Sequence, residues 1–488
     1  MPESIESLIR QNLITPPKQF QIRAVRFLEK NKGCGILGDD MGLGKTYEAM
    51  AWLAIHPEIS RIIVVCPANV KYQWEKQFKE HAGRTAEVLE GTQPYTPQIP
   101  LIIINYEILS EALWPNDQRR KCIRPNFPWV DLLQQMKPQA IIIDEFIYIK
   151  NPRALRTKAT IQLSRRVPHL ILACGTPIEK NPAEFYSALN LVAPGEFNSF
   201  WKYAFRYCDP KPGFRGRGWD FSGNSNLKEL HERVAPFMIR RMKVDVAKEL
   251  PPKIRTVLPV CISNRKKYEE AEENFLGWME EKYGEKASLR AAGAVGLVKL
   301  GVLKRIAAEG KIPTIQSWVQ DFLSNTDEKL IIFCVHHPMR DTLRSAFPHH
   351  ATIGGDTPSH KRPAEVDKFQ HDPKCRVFIG QLRASGMGLD GLHKASSTIL
   401  FTELGWNPSE HEQAEDRALR IGQTASSVNV YYMVGKDTIE EKVLELIQGK
   451  YDICSRILNG EMLNINLFDR RVNPDGLQTA IPADRTKK

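Results

Sequence analysis

Two series of short apolar runs, separated by stretches with helical periodicity, set the strongest limit on what this chain can fold into. The runs are rich in Val, Ile, Leu and Phe, which is typical of strands buried on both faces. The first series is RIIVVC (61–66), LIII (101–104), QAIII (139–143) and LILAC (170–174), and the second is LIIFCV (330–335), CRVFIG (375–380), STILFT (397–402) and VNVYYMV (428–434). Strands that alternate with helices form parallel sheets flanked by helices. The sequence therefore predicts an α/β protein with two lobes.

The length of the chain agrees with more than one domain. It has 488 residues, and single cores rarely exceed about 250–300 residues. Pro251 and Pro252 lie between the two series and block helix, so we place the hinge there. The predicted domains are 1–250 and 251–468, followed by a tail at 469–488 without clear periodicity. Residues 265–322 have apolar side chains at helical spacing, which predicts a helical insertion in the second lobe.

Composition and charge narrow the class of function. The chain is 42% hydrophobic and 26% charged, as in ordinary globular proteins, and its net charge of +11 suits either a nucleic-acid partner or a merely basic enzyme. The nine cysteines include no C-x-x-C pair, which disfavours a zinc site or a disulfide framework. The N-terminus does not resemble a signal peptide and no 18-residue apolar stretch occurs, so we expect an intracellular protein without a membrane partner.

The stretch GILGDDMGLGKTYEAMAWL (35–53) is the strongest functional motif. It predicts a short strand, a Gly-rich turn and a helix opened by Gly44, Lys45 and Thr46, where backbone amides and the helix N-terminus bind phosphate. Lys45 would reach the β- and γ-phosphates, and Thr46 would hold Mg²⁺. The usual G-x-x-x-x-G-K-T pattern fails at its first position, which is Asp39. The strand-turn-helix context still favours a phosphate loop over a plain turn.

Two adjacent acids, Asp144 and Glu145, end the apolar run at 139–143. A phosphate loop needs a further carboxylate at the end of a neighbouring strand to complete the metal shell, and a second acid could orient the attacking water. The alternative is a pair of solvated acids that simply end a strand. The presence of Lys45 upstream favours catalysis.

A second candidate constellation lies in EQAEDRALRIGQ (412–423). Arg417 and Arg420 are three residues apart, so the spacing predicts that they share one helical face. Guanidinium groups bind a transferring phosphate well. A solvated basic face is the other interpretation of the same spacing.

The ordered set of motifs resembles the motor of the SWI/SNF-like branch of superfamily-two helicases, and within it the annealing-helicase group. The resemblance covers roughly residues 15–450 and rests on FQIRAVRFL, DDMGLGKT, VVCPANVKYQWEKQF, IINYE, IIIDE, ACGTPIEKNPAEFYSALN, RYCD, RRMKVDV with LPPK, ASGMGLDG and WNPSEHEQAEDRALRIGQ. It implies two RecA-like lobes, each with a mostly parallel sheet flanked by helices, and an ATP site in the cleft between them.

The resemblance also implies roles for particular residues. ATP and Mg²⁺ would be held by Gln21 at the adenine, by Gly42, Gly44, Lys45, Thr46 and Gly388, and by Asp144, with Glu145 activating water and Arg417 and Arg420 as the arginine pair. Arg420 is the preferred finger. The DNA backbone would be gripped near Pro67, Ala68 and Asn69, at Gly175 and Thr176, and at Gly386. Trp74, at helical spacing with Val70 and Phe78, is expected to be a packing residue.

The chain departs from the family pattern at two places. Phe146 and Ile147 follow the acids where the family has a small residue and a histidine, and Leu419 stands where it has a histidine. Coupling between nucleotide and DNA is therefore in doubt. We expect a sequence-independent, ATP-dependent motor on double-stranded DNA, with a strand-separating DNA or RNA helicase and an ATP-responsive clamp as alternatives. It would work in a bacterial or viral-host cytoplasm, or in the nucleus of a eukaryote, with protein partners unknown.

Overall fold

The protein forms two compact units that are described separately. A computed structural model describes residues 4–112, 125–213, 218–283, 295–385, 389–420 and 422–460. The division between the units falls between Lys248 and Glu249, and the chain returns to the first unit at Tyr451. The predicted tail at 469–488 lies outside the described residues. None of the described helices has the length and apolar character that a membrane span requires.

The first unit contains a parallel sheet with helices around it. Its strands are β1 (Cys34–Leu37), β2 (Ile62–Cys66), β3 (Glu87–Val88), β4 (Leu101–Asn105), β5 (Ala140–Asp144), β6 (His169–Ala173) and β9 (Met238–Ile239), in the order β3-β4-β2-β5-β6-β1-β9, with a separate hairpin of β7 (Lys211–Pro212) and β8 (Trp219–Asp220). Its helices are α1 (Ile5–Asn12), α2 (Gln19–Lys30), α3 (Lys45–Ala54), α4 (Lys71–Ala82), α5 (Tyr106–Leu109), α6 (Pro128–Gln135), α7 (Leu155–Ser164), α8 (Tyr186–Val192), α9 (Phe200–Tyr207), α10 (Leu227–Val234) and α11 (Lys243–Val246).

Both faces of this sheet are buried, which explains its unbroken apolar runs. In β5, Ile141 and Ile143 pack in one core while Ala140 and Ile142 pack in the core on the other face. Successive side chains of a strand point to opposite faces, so a strand covered on both sides needs apolar residues at every position. The polar residue Asp144 comes where the strand ends.

The second unit contains a six-stranded sheet whose pairings are all parallel. Its strands are β10 (Lys253–Val260), β11 (Leu330–Cys334), β12 (His350–Ile353), β13 (Val377–Gln381), β14 (Thr398–Phe401) and β15 (Val428–Gly435), in the order β10-β15-β14-β11-β13-β12. Its helices are α12 (Arg265–Glu273), α13 (Phe275–Tyr283), α14 (Val295–Asn325), α15 (His337–Ala346), α16 (Arg362–His371), α17 (Leu382–Ser385), α18 (Pro408–Glu415) and the first part of α19 (Ile439–Asn459). The α/β class with two parallel sheets is as the sequence predicts.

Two features of the second unit differ from expectation. The residues after Pro252, where a hinge was expected, form the strand β10. Its apolar–polar alternation is not evident in the sequence because Lys253 and Arg255 are charged residues that bind the buried Glu415. The second lobe was also expected to extend to 468, whereas the end of α19 packs with the first unit. Ile457 and Leu458 lie in the core of that unit, so hydrophobic contact assigns this segment to it.

A buried ion pair fastens α14 and α19 to the second sheet. Lys311 is fully buried, and its Nζ donates to Glu440 Oε2 at 2.7 Å and to the carbonyls of Thr402 at 2.7 Å and Met433 at 2.8 Å. The amide of Gly435 donates to the same carboxylate at 2.7 Å. A buried charge pair is tolerated when hydrogen bonds satisfy both partners in this way.

We expect Glu440→Gln to destabilise the second unit by roughly 3–5 kcal/mol, because it leaves the Lys311 ammonium buried without a counter-charge. Thermal and urea unfolding followed by circular dichroism measures the loss. The double variant Lys311→Met, Glu440→Gln should lose less than the sum of the single variants, since neither leaves a lone charge. Strict additivity would contradict the assignment.

Candidate active site

The loop between β1 and α3 has the backbone geometry of a phosphate-binding turn. Gly42 and Gly44 have φ of +81° and +87°, which glycine adopts without steric cost, and Gly44 is the N-cap of α3. Lys45 opens the helix, and its Nζ donates to the carbonyls of Asp39 at 2.7 Å and Asp40 at 3.2 Å. Lys45 therefore contacts the start of the loop in which it is predicted to bind phosphate.

Asp39, the residue that breaks the usual phosphate-loop pattern, anchors the loop. Its carboxylate is fully buried and paired with the guanidinium of Arg241. The Nε and the backbone N–H of Arg241 donate to Asp39 Oδ1 at 3.0 and 2.9 Å. Removing one partner of such a pair leaves an uncompensated buried charge. The start of the loop is thus held by a residue 202 positions further along the chain.

Arg240 holds the next residue of the loop. It donates to Asp40 Oδ1 at 3.1 Å and to the carbonyls of Gly38 at 2.5 Å and Gly175 at 3.3 Å. Asp40 Oδ2 also accepts from the backbone N–H of Lys243 at 2.9 Å. The two arginines are placed here because β9 pairs with β1 and the chain continues from β9 along the loop.

Glu48 adds a second acid to the cluster. It is fully buried and accepts from Arg241 at 2.6 Å. The pKa of Glu48 is raised well above its ordinary value, mainly by burial and secondly by the nearby Asp39 carboxylate. A protonated Glu48 would leave one negative charge on Asp39 opposite one positive charge on Arg241, so the cluster would be neutral. A neutral cluster costs less free energy to bury than one with a net charge.

The two predicted catalytic acids lie at the same edge of the sheet as the loop. In the parallel register, Asp144 is opposite Ala173 and Ala173 is opposite Leu37. The turn after β6 also approaches the loop, because a Cβ added to Gly175 would lie 3.3 Å from Lys45 Nζ. The sheet therefore brings the end of β5, the turn after β6 and the phosphate loop together.

The environment of Asp144 makes its ionised form costly. Trp74 Nε1 donates to its Oδ2 at 2.7 Å and the N–H of Glu145 donates to its Oδ1 at 3.1 Å. Burial, followed by the charge of Glu145, raises the pKa of Asp144 to about 7. Lys45 acts in the opposite direction and lowers it. A cation beside this carboxylate would favour its ionised form, as expected for a metal ligand.

Glu145 leaves the strand in an unusual backbone conformation. Its φ is +49°, a value that costs a non-glycine residue of order 1 kcal/mol or more and persists where surrounding contacts hold it. The thiol of Cys174 donates to Glu145 Oε2 at 3.2 Å. Burial first, and then the Glu145 carboxylate, raise the pKa of this thiol well above its ordinary value, so Cys174 acts as a neutral donor.

The large residues after the acids belong to the hydrophobic core. Phe146 and Ile147 are 1% and 8% exposed, and Phe146 stacks on Phe185 with ring centroids 6.1 Å apart. Leu419, at the other departure from the family pattern, is 7% exposed. Apolar packing therefore occupies both places where a histidine was expected. Trp74 is 2% exposed, which confirms that it packs, and it also donates to Asp144.

The other predicted site residues of the first unit lie as follows. Gln21 Nε2 donates to Leu43 O at 3.3 Å, and a Cβ on Gly44 would lie 2.7 Å from it, so Gln21 borders the loop. Pro67, Ala68 and Asn69 follow β2 and enter the turn before α4. The hydroxyl of Thr176, after β6, is buried and has no hydrogen-bond partner among the described residues. Gly386 and Gly388 lie outside the described part of the chain.

In the second unit, the two arginines do not share a helical face, and that prediction was wrong. Helix α18 ends at Glu415, and Arg417 and Arg420 lie in the turn that follows it. The backbone there tightens, since the N–H of Arg417 bonds to the carbonyl three residues back. Arg417 donates to the carbonyl of Leu389, and Arg420 donates to Asp390 Oδ1 at 2.6 Å. Both therefore contact the same segment.

Glu415 fixes the helix end from which this turn departs. It is fully buried and accepts from Lys253 Nζ, from Arg255 Nε and from the hydroxyl of Tyr432, each at 2.7 Å. Burial alone would raise the pKa of Glu415, but the charges of Arg255 and Lys253 lower it well below its ordinary value. The start of β10 thus holds the segment that carries Arg417.

Comparison with known families decides the relationship. Residues 20–291, more than half of the chain, match the SNF2-related domain. The chain belongs to the SNF2-related domain family. Residues 311–422 of this SNF2-related protein match the helicase conserved C-terminal domain. The family suggested by the motifs is thereby confirmed.

Curated relatives and a solved structure are similar to this SNF2-related protein. The DNA annealing helicase and endonuclease ZRANB3 of Bos taurus is 29% identical over 454 residues, which is 90% of this chain and 40% of the relative. The SWI/SNF-related matrix-associated actin-dependent regulator of chromatin subfamily A-like protein 1 of Xenopus tropicalis is 32% identical over 468 residues, or 93% and 45%. The chain spans less than half the length of these relatives. The Sulfolobus solfataricus SWI2/SNF2 ATPase core in complex with dsDNA is 23% identical and covers 96% of this chain and 98% of that one, with a TM-score of 0.41.

The residues present in this SNF2-related protein fit a nucleotide with Mg²⁺. The glycine turn and the amides that open α3 form an anion-binding cradle beside Lys45. Within the described ranges, no group of three or more His, Cys, Asp or Glu side chains could hold a metal ion. Mg²⁺ is held by one or two carboxylates together with waters and phosphate oxygens, and the carboxylate of Asp144 lies at the sheet edge beside the loop. Thr46 and Asp144 would supply the protein ligands.

Sequence reasoning missed the residues that hold the loop. Asp39 was noted only as a mismatch, and Asp40, Glu48, Arg240 and Arg241 were given no role. The available signal was the pair of adjacent acids before the loop and the pair of adjacent arginines before the hinge. Opposite charges at two such points suggest ion pairs only when the fold is known to bring them together.

We expect Arg241→Met to lower the melting temperature and to weaken ATP binding, because the carboxylates of Asp39 and Glu48 lose their cation. Glu48 has a raised pKa in the folded state, so its contribution to stability falls as pH rises above about 4.5. Arg241 acts to lower the pKa of Glu48, so without it the pKa should rise further and the fall should extend to higher pH. The loss should therefore be greater at pH 8 than at pH 5.5. Differential scanning fluorimetry at both pH values measures it.

The surface variant Arg10→Met is the matched control. Arg10 pairs with Glu6 at 2.9 Å in an exposed position, where solvent screens the pair, so its removal should change stability little at either pH. Equal losses for the two variants, or no dependence on pH for Arg241→Met, would remove the anchoring role.

Proposed function

We propose that this SNF2-related protein is an ATP-dependent motor that moves along double-stranded DNA without sequence specificity. The observation that carries the proposal is the meeting of Lys45, the turn at Gly175 and the acids Asp144 and Glu145 at one edge of the first sheet. A loop for phosphate beside two acids is the arrangement that nucleoside triphosphate hydrolysis needs. The name of one relative, DNA annealing helicase, supports DNA as the polymer.

Each residue of the first unit has a defined task in this proposal. Lys45 would leave the carbonyls of Asp39 and Asp40 and bind the β- and γ-phosphate oxygens. Glu145 would accept a hydrogen bond from the attacking water and orient it. Mg²⁺, when bound, would neutralise charge on the phosphates. Gln21, next to the loop, would contact the adenine.

Arg420 is the proposed arginine finger of the second unit. Its side chain is 23% exposed, and its partner Asp390 is 64% exposed, whereas Arg417 is only 8% exposed and binds a backbone carbonyl. Burial acts to raise the pKa of Asp390, but Arg420 lowers it overall. A phosphate could replace this exposed carboxylate as the partner of Arg420. Arg417 would then position the turn.

DNA would be bound through its backbone. Amides near Pro67, Ala68 and Asn69, the Gly175–Thr176 turn and the loop with Gly386 are the proposed contacts. Phosphate contacts position a protein on a duplex but carry no sequence information. Binding should therefore weaken steeply with salt and hardly vary with sequence.

Two alternatives remain distinct from this motor. A strand-separating helicase would unwind a tailed duplex, whereas a translocase would displace a third strand from intact duplex. An ATP-responsive clamp is favoured by the apolar packing of Phe146 and Ile147, since these side chains offer no hydrogen bond to link nucleotide with DNA. Phosphate release with and without duplex DNA separates the clamp from the motor.

The division of the chain into a first domain at 1–250 and a second that begins at 251 is also a proposal, and so is the place of action; the second was expected to reach 468, but residues 451–460 pack with the first unit. The relatives described above are animal proteins, which supports the nucleus if the source is a eukaryote. A bacterial or viral-host cytoplasm is the other proposed location.

We expect Lys45→Ala to abolish ATP turnover, because the phosphates lose their main side-chain cation. Glu145→Gln should still bind ATP and DNA but hydrolyse slowly, since it keeps the shape and loses the basic oxygen. Phosphate release with and without duplex DNA measures both. Lys30→Ala, an exposed lysine on α2, is the control and should match the parent. Near-normal turnover in Lys45→Ala would remove the phosphate-loop assignment.

We expect Arg420→Ala to cut DNA-stimulated turnover by roughly 10³-fold or more while leaving ATP binding largely intact, as loss of a finger does. Asp390→Asn removes only the resting partner of Arg420 and should leave a turnover at least as fast as that of the parent. Single-turnover hydrolysis with separate measurement of ATP affinity makes the comparison. A large loss in Arg417→Ala with none in Arg420→Ala would reverse the two roles.

A further inference from the structure

The indole of Trp74 connects a helix of the first unit to one of the two predicted catalytic acids. Trp74 lies on the first turn of α4 and is 2% exposed, and its Nε1 donates to Asp144 Oδ2 at 2.7 Å. The N–H of a buried tryptophan usually has a hydrogen-bond partner, and a backbone carbonyl would satisfy it as well as an acid. Because the partner here is Asp144, α4 is attached directly to the proposed ligand of Mg²⁺.

Helix α4 begins directly after the segment that is proposed to contact the DNA backbone. Pro67 precedes a short turn at Ala68–Val70, and Lys71 is the first residue of α4. The N–H of Val70 donates to the carbonyl of Pro67 at 3.1 Å, so the turn is closed on itself. Close-packed interiors transmit displacements. A shift of this turn when it binds a phosphate would therefore reach the indole of Trp74 within one helical turn.

The sheet places this turn and the acid side by side. Strands β2 and β5 are parallel neighbours, with Val65 opposite Ile143, so the turn after β2 and Asp144 leave the same edge of the sheet. The Nζ of Lys71 donates to the carbonyl of Leu89 at 2.9 Å. The start of α4 is thus attached both to the chain beyond β3 and to the carboxylate at the end of β5.

Three donors hold Asp144, and each acts on a different atom. The hydroxyl of Tyr106 donates to its main-chain carbonyl at 2.7 Å, the N–H of Glu145 donates to Oδ1 at 3.1 Å, and Trp74 donates to Oδ2. A carboxylate has about four lone-pair sites, so two donors leave room for a cation. Of these three donors, Trp74 is the one that binds the carboxylate from another segment. The position of α4 therefore affects how the carboxylate is oriented, as outer-shell donors do for metal ligands.

We propose that Trp74 is a positioning residue that orients Asp144 from α4, so that Mg²⁺–nucleotide and duplex DNA strengthen each other's binding through this hydrogen bond. Phe146 and Ile147, which follow the acids, have no polar side-chain group for such a link. Coupling between two ligands is reciprocal, so each must strengthen the binding of the other by the same factor. The inference deepens the proposed function and rests on it for the DNA contact at the turn after β2.

The first test concerns the metal and needs no DNA. A fluorescent, non-hydrolysable ATP analogue is titrated against the parent and Trp74→Phe, once with Mg²⁺ and once with EDTA. The factor by which Mg²⁺ tightens nucleotide binding should fall roughly tenfold in the variant, as on loss of an outer-shell partner of a metal ligand. Affinity in EDTA should be unchanged. Excess Mg²⁺ should restore basal ATP turnover, which it could not do if the core were damaged.

The second test measures coupling to DNA. The affinity for a labelled blunt duplex is measured with and without Mg²⁺ and the ATP analogue, and the affinity for the analogue with and without duplex. In the parent both factors should be equal and of roughly 5- to 150-fold, the usual range for coupled sites. In Trp74→Phe both factors should fall toward one. Duplex affinity without nucleotide should be unchanged, since the turn after β2 is intact.

The matched control is Trp52→Phe. Trp52 is 1% exposed, lies in the same hydrophobic core as Trp74, and its Nε1 donates to the Glu29 carboxylate at 3.1 Å. The control therefore loses the same ring area and the same kind of hydrogen bond away from the site. Its melting temperature should fall, as in Trp74→Phe, while the Mg²⁺ and DNA factors should match those of the parent.

A second replacement removes the donor without removing the ring. Benzothienylalanine in place of Trp74 keeps the shape of the indole and has sulfur where tryptophan has its N–H. It should show the same losses of the Mg²⁺ and DNA factors as Trp74→Phe, with a smaller loss of melting temperature because no cavity is made. It also provides the comparison if Trp74→Phe does not fold.

Unchanged Mg²⁺ factors in the folded variants of Trp74, or equal weakening of nucleotide binding with Mg²⁺ and with EDTA, would overturn the proposal. So would a DNA factor that is the same in the variants as in the parent, or that is absent from a parent that binds both ligands. A parent that binds nucleotide but no duplex would instead remove the proposed motor function. The Mg²⁺ factor would then decide by itself whether Trp74 orients Asp144.

Discussion

The buried pair of Asp39 and Arg241 is the interaction on which the candidate active site depends. It fixes the first residue of the phosphate loop to the chain that leaves β9, and Arg240 repeats the contact at Asp40. Charges of this kind are costly to bury and are retained where they impose one arrangement. Here the arrangement places Lys45 and the amides that open α3 at the sheet edge beside Asp144. A loop of glycines alone would have many conformations of similar energy.

The second unit has a similar buried cluster beside the segment proposed to carry the arginine finger. Glu415 is surrounded by two cations and the hydroxyl of Tyr432, and this cluster holds the end of α18 against the start of β10. The turn with Arg417 and Arg420 begins at the next residue, Asp416. In each unit, a fully buried carboxylate with charged partners from a distant segment positions a short loop. Rigid support is needed because catalytic groups lose efficiency when they are displaced by even about 1 Å.

The apolar residues after the two acids limit the hydrogen bonds that could link the acids to other parts of the proposed site. Phe146 and Ile147 add to the core and leave Asp144 and Glu145 with Trp74, Tyr106 and Cys174 as hydrogen-bonding neighbours. These donors hold the acids but belong to the interior of the first unit. In the proposed motor, Phe146 and Ile147 would therefore offer no polar link between the two acids and the DNA-binding segments.

Much of the fold could be predicted from the sequence, because strands buried on both faces require unbroken apolar runs such as 140–143 and 330–335. The phosphate loop, the two acids and the family were also apparent, since their residues are contiguous. The tertiary structure alone decided the rest. Asp39 was only a mismatch to the motif in the sequence, but in the structure it holds the loop by pairing with Arg241, which is 202 residues away. The arginines near 417–420 left the helix because the backbone tightens after Glu415. The end of α19 joined the first unit because its apolar side chains are buried there. Contacts between distant segments depend on how the sheets are assembled, and local spacing carries no information about that assembly.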